Sequence, residues 1–84
     1  MVCGSGEGVV IAANKVKGVR AVAPYDSYSA KMSRIDNDSN IISLSGRHMS
    51  SWKARRILNE WLNTEFSNED RHKRRLRKIA DFER

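Results

Sequence analysis

Cysteine occurs once in this chain, at Cys3, and proline once, at Pro24. A single thiol forms no internal disulfide, so the fold stands without cross-links and suits a reducing, cytoplasmic compartment. Histidine is nearly as scarce: His48 and His72 are the only two, neither stands in a metal-ligand pattern, and no metal site is assigned. No apolar run approaches the ~20 residues of a membrane span and no secretory pattern opens the sequence, which leaves no membrane partner to expect. Aromatic residues make up 7% of the chain and none interrupts its basic run, so stacking on nucleic acid bases has no platform there.

What is present is a chain of 84 residues with a formal charge of +6. That length makes one small domain near the lower limit of what a single core stabilises unaided. The charge favours anionic partners, a description that fits nucleic acid and sugar phosphates equally.

The most informative segment follows the cysteine: Cys3-Gly4-Ser5-Gly6-Glu7-Gly8, running into Val9-Val10-Ile11-Ala12-Ala13. Glycines at alternate positions before a helix-forming stretch let successive backbone N–H groups converge on one anion. A dinucleotide fingerprint is excluded, because Val9 occupies the place its third glycine needs and only Met1 and Val2 precede Cys3. A P-loop is excluded because no Gly-Lys-Ser/Thr follows. Two readings remain: a loop that holds a phosphate or developing oxyanion beside Cys3 as acid or base, and a tight turn with a buried, inert cysteine.

Elements alternate along the chain. Gly8 to Lys15 reads as a helix with Ile11, Ala12 and Val16 inward, stopped by Gly18. Val19–Ala23 reads as a strand ended by Pro24, and a helix from Asp26 or Ser27 to Ile35 carries Tyr28, Met32 and Ile35 at helical spacing. Asn37-Asp38-Ser39-Asn40 is turn chemistry before a second strand, Ile41–Leu44. Gly46 marks a turn, Ser50 or Ser51 caps a helix striped by Ile57, Leu58, Trp61 and Leu62, and Ser67 opens a capping box for a basic helix ending near Phe82. The fold class is therefore α/β, a three-layer Rossmann-like parallel sheet represented by about two strands, with residues 1–66 as core and 67–84 as the basic helix. The first glycine loop lacks a strand to feed it, so the chain reads as the second half of a doubly wound domain.

Several ordered segments carry a resemblance: Cys-Gly-Ser-Gly at 3–6, Ile-Ala-Ala-Asn-Lys at 11–15, Gly-Val-Arg-Ala at 18–21, Tyr25-Asp26 through Arg34, Asn37-Asp38-x-Asn40, Gly46-Arg47, Trp61-Leu62-x-Thr64 and Arg71-His72-x-x-Arg75. Together they resemble the type B ribose-5-phosphate isomerase family, which includes the galactose-6-phosphate isomerase subunits of the lactose pathway. The match covers nearly the whole chain and the latter half of a family member.

The resemblance implies an aldose–ketose isomerase working through an enediolate, without metal or organic cofactor, as a homodimer whose sites are shared between subunits. By position, Cys3 matches the catalytic base. A thiol beside a helix N-terminus is suited to that role, since its pKa is lowered towards neutrality. Backbone N–H groups around Gly4, Gly6 and Gly8 match the anion hole, and Ser5 matches a hydroxyl that orients or reprotonates substrate. Arg71 and Arg75, i and i+4 on one helix face, match the phosphate clamp, and Arg47 a further basic residue near that phosphate. Asn37 matches an asparagine that reaches the neighbouring subunit's site.

The chain departs from the pattern at Asp36, where the family carries the histidine that opens the sugar ring. An ionised carboxylate accepts a proton at neutral pH but rarely donates one. The family's N-terminal Asp-His pair has no counterpart here, His48 is expected to be exposed in a loop, and His72 falls within the arginine motif. Two other readings stay open: a split or truncated family member inactive by itself, and a basic nucleic-acid module built on Arg71–Lys78, against which stand the missing aromatics and the acidic Asp81 and Glu83.

Overall fold

A computed structural model describes residues 2–83, with residues 2 and 3 described by their backbone alone. The elements run β1 (Val2–Cys3), α1 (Glu7–Ala13), β2 (Ala21–Val22), α2 (Ser27–Asn37), β3 (Ile41–Ile42), β4 (Leu44–Ser45), α3 (Ser51–Leu62) and α4 (Asp70–Ala80). Both strand pairs are parallel: Val2 lies opposite Leu44 and Cys3 opposite Ser45, while Ala21 lies opposite Ile41 and Val22 opposite Ile42. Between β3 and β4 only Ser43 intervenes, and its N–H donates to the Val22 carbonyl at 2.9 Å. The stretch 41–45 thus pairs with β2 along its first residues and with β1 along its last, joining both pairs into one Rossmann-like parallel layer.

This corrects the expectation of an unfed glycine loop. A strand does lead into it, but its two residues are too few for the alternation that reveals a strand in sequence.

Helix α2 begins with a reciprocal capping box: the Asp26 carboxylate accepts the Ser29 N–H at 2.7 Å, and the Ser29 hydroxyl accepts the Asp26 N–H at 3.2 Å. It ends at Asp38, which adopts the left-handed conformation with φ 46°. Helix α3 is capped by Ser50, whose hydroxyl accepts the Lys53 N–H at 3.2 Å. Ile42 and Leu44, two apart along an extended stretch, face the same side and meet Ala30 of α2 with Ile57 and Trp61 of α3. That cluster is the core.

Some inward faces differ from expectation. Helix α1 buries none of its residues: Ile11 is 63% exposed and Ala12 is exposed with it, because this short helix touches the layer mainly at β2, and Val16, beyond the end of the helix, is 58% exposed. Tyr28 and Leu62 are exposed too; α2 turns the small Ala30 and Ser33 inward, where close packing against α3 leaves no room for a ring. Ser67 does not cap α4, whose N-cap is Glu69 without a side-chain bond. The Ser67 hydroxyl is engaged at 2.6 Å by Nδ1 of His72.

The outer edge of β2 is occupied by a side chain. The Asn14 amide accepts the Ala21 N–H at 2.8 Å and donates to the Ala21 carbonyl at 3.0 Å, standing in for a neighbouring strand.

Candidate active site

The glycine loop leaves the carboxyl end of β1, the edge at which open parallel α/β layers bind ligands. Gly6 caps α1 with φ 83°, a conformation that favours glycine, and a Cβ there would lie 3.3 Å from the buried Ser43 Oγ. The Gly4 carbonyl accepts two hydrogen bonds, from Ser45 Oγ at the end of β4 at 2.7 Å and from the Arg47 N–H in the β4–α3 connection at 3.1 Å. The Arg47 guanidinium folds over Gly4 so closely that a Cβ would lie 3.0 Å from its Nη2. Loop and arginine are thereby fixed against one another. Gly8 stands in the first turn of α1 with open space around it.

Beside this loop lies a cleft of about 270 Å³ lined by Ser5, Tyr25, Ser45, His48 and Lys53, among others. Ser5 is exposed, and its hydroxyl accepts the Glu7 N–H at 3.4 Å. The Cys3 thiol lies outside the described residues. At the N-terminus of α2 the Ser29 N–H, then its hydroxyl, hold the Asp26 carboxyl below the ordinary carboxylate value, with a further contribution from Lys53.

The remaining predicted residues gather elsewhere. Asp36 and Asn37 close α2, which runs back from the carboxyl ends of the strands to their amino ends, where Arg20 pairs with Asp38 at 3.3 Å. His72 is 3% exposed, and its Nε2 lies 3.3 Å from the Asp36 carboxylate. Its Nδ1 faces Ser67 and, at 3.4 Å, the Glu69 carboxylate, while its ring tilts against Phe66. Helix α4 crosses this end of the layer from the Asp36 contact, and beyond its end the Glu83 carboxylate accepts the Gly18 N–H at 3.1 Å. Arg71 and Arg75 are exposed on α4, and Arg71 pairs with Glu69 at 3.1 Å.

The structure therefore brings the predicted residues together in two groups. Gly4, Ser5, Gly6 and Arg47 share the carboxyl end of the layer; Asp36, Asn37, Arg71 and Arg75 share its amino end. Sequence reasoning left His72 as one residue of an arginine motif, and no periodicity signals its contact with Asp36 across the α2–α4 packing. His48, expected in an exposed loop, is exposed but lines the cleft. Among the described residues no group of His, Cys, Asp and Glu could hold a metal ion, and no helix is long and apolar enough to cross a membrane.

A glycine loop at the carboxyl edge of a parallel layer, beside a serine, an arginine and a small cleft, places the chain among α/β proteins of Rossmann-like architecture. Residues 1–79 match the Ribose/Galactose Isomerase family, and the chain belongs to it. It is 45% identical over 83 residues to a putative sugar phosphate isomerase of Bacillus subtilis, YwlF, covering 99% of this chain and 55% of that protein. It is 37% identical, with the same coverage, to ribose-5-phosphate isomerase B of Escherichia coli and to D-erythrulose-4-phosphate isomerase 2 of Mycolicibacterium smegmatis. The type B ribose 5-phosphate isomerase of Trypanosoma brucei superposes with a TM-score of 0.95 at 48% identity, covering 98% of this chain and 55% of that one. The chain thus spans about half the length of these relatives.

Proposed function

We propose that this chain is a sugar-phosphate aldose–ketose isomerase that interconverts ribose 5-phosphate and ribulose 5-phosphate. In this reading the Cys3 thiolate removes the proton from C2 of the open-chain aldose and returns it to C1. Negative charge develops on the substrate oxygens in between, and the backbone N–H groups around Gly4, Gly6 and Gly8 stabilise that enediolate. Ser5 moves the hydroxyl proton, and Arg47 with Arg71 and Arg75 holds the phosphate. Asp36 accepts the proton that leaves the cyclic sugar on ring opening, and Asn37 orients the substrate. No cofactor enters the reaction.

The observation that carries this reading is the glycine loop, held by Ser45 and Arg47 at the carboxyl edge of the layer in a chain of this family. The separation of the two residue groups supports a homodimer in which the loop of one copy meets the α2–α4 end of the other. One chain has each group once, at opposite ends, and a two-fold axis brings unlike ends together twice.

The test is ribose 5-phosphate incubated with the protein in D₂O and followed by NMR. Deuterium at C1 of ribulose 5-phosphate and at C2 of recovered ribose 5-phosphate is expected, and both disappear in Cys3→Ala. A protein that forms no ketose and exchanges no C2 proton does not have this function, and full exchange in Cys3→Ala would assign the base elsewhere.

A further inference from the structure

We infer that His48 is the acid that opens the sugar ring in this chain, an inference that rests on the isomerase reading above. Opening a furanose takes two proton transfers, one from the anomeric hydroxyl and one to the ring oxygen. Asp36, as a carboxylate, suits only the first. The second needs a donor beside the glycine loop.

His48 lines the same cleft as Ser5. Its backbone is tied to the loop: the His48 N–H donates to Ser45 Oγ at 3.1 Å, and that hydroxyl donates to the Gly4 carbonyl at 2.7 Å. Its imidazole makes no hydrogen bond or ion pair with any described residue and is exposed to the cleft. The other titratable side chains there are Glu7, Tyr25 and Lys53. Of these types, carboxylate, phenol, ammonium and imidazole, only imidazole both takes and gives a proton readily near neutral pH. His72, the other histidine, is buried against Asp36 and Ser67.

The step is balanced as follows. The anomeric hydroxyl proton passes to the Asp36 carboxylate of the second copy, the C1–O1 bond becomes a carbonyl, and the C1–O4 bond breaks. O4 takes its proton from the His48 imidazolium. Solvent then reprotonates His48 and deprotonates Asp36, so that the sugar keeps its composition.

A tetrose 4-phosphate separates this role from the isomerisation itself, because its O4 is esterified and cannot close a five-membered ring. His48→Ala is expected to lower kcat/KM for ribose 5-phosphate about 100-fold, the lower range for a general acid, while kcat/KM for erythrose 4-phosphate changes less than about three-fold. Equal losses on both sugars, or no loss on ribose 5-phosphate, would overturn the inference. If the protein turns over neither sugar, the isomerase reading fails and the inference is judged on binding: with two histidines, ring ¹H signals assign by a single substitution. Ribose 5-phosphate is expected to move the His48 signals. Unmoved His48 signals, or the same movement with inorganic phosphate alone, would overturn it.

Discussion

Replacing Ser39 by alanine is expected to destabilise the end of α2 that carries Asp36 and Asn37. The Ser39 side chain is fully buried, and its hydroxyl accepts the Trp61 indole N–H at 2.8 Å and lies 2.9 Å from the Ser33 hydroxyl. Ser33 keeps a second partner, the Ala30 carbonyl at 2.7 Å, whereas Trp61 Nε1 makes no other hydrogen bond among the described residues. The substitution therefore strands one buried donor, at a cost of about 1–3 kcal/mol. For a domain of this size each kcal/mol moves Tm by roughly 4–8 °C, so a fall of about 8–16 °C follows from a central cost of about 2 kcal/mol. Thermal unfolding by circular dichroism measures the shift, and a cycle with Trp61→Phe isolates the bond. The double variant is expected to lose less than the sum of the single losses by about 1 kcal/mol. A loss below about 0.5 kcal/mol, or strict additivity, would refute the assignment of that hydroxyl as the anchor.

Asn14→Ala removes both side-chain bonds to Ala21 and leaves the edge of β2 with an unpaired N–H and carbonyl; a loss of about 1–3 kcal/mol is expected in urea unfolding. Asp26→Ala tests the α2 cap through pH. Because the folded-state value of Asp26 is lowered, its contribution is present above the ordinary aspartate pKa of about 3.9 and is lost as pH falls through the folded value. Unfolding midpoints of the two proteins are therefore expected to differ at pH 7 and converge in acid; a gap that persists unchanged would contradict the assignment. Arg71→Ala and Arg75→Ala are each expected to lower kcat/KM for ribose 5-phosphate by about 10- to 150-fold, the loss of one charge-assisted hydrogen bond worth about 1.5–3 kcal/mol, with the change largely in KM.

Much of this architecture was legible in the residues. Asp26 and Ser50 announce helix starts through local hydrogen-bonding chemistry and cap α2 and α3 as the sequence implies, while α2 runs two residues past the expected end at Ile35 and takes in Asn37, so that the turn begins at Asp38. The glycine loop was legible because Gly6 meets a conformation that other residues avoid. Strand β1 was hidden by its length, and the outward turn of Ile11, Val16 and Tyr28 is set by tertiary packing, which periodicity does not encode. The contact between Asp36 and His72 joins residues far apart in sequence through α2–α4 packing. For the site, composition pointed only to an anionic partner; the roles of Cys3, Ser5, Asn37, Arg47, Arg71 and Arg75 came from resemblance. That these residues divide between two ends of the layer follows from topology alone.

The central claim is that one site is assembled from opposite ends of two copies, and mixing two impaired variants, assayed with substrate well below KM where each alone is weak, tests it most directly. Cys3→Ala and Arg75→Ala are unfolded together, refolded as an equal mixture, and assayed for ribose 5-phosphate isomerisation beside each variant refolded alone. Random pairing makes half the dimers hybrids with one intact site in two, so about a quarter of wild-type activity is expected to return. A mixture no more active than the two variants measured separately would place Cys3 and Arg75 in the same copy's site and contradict the account.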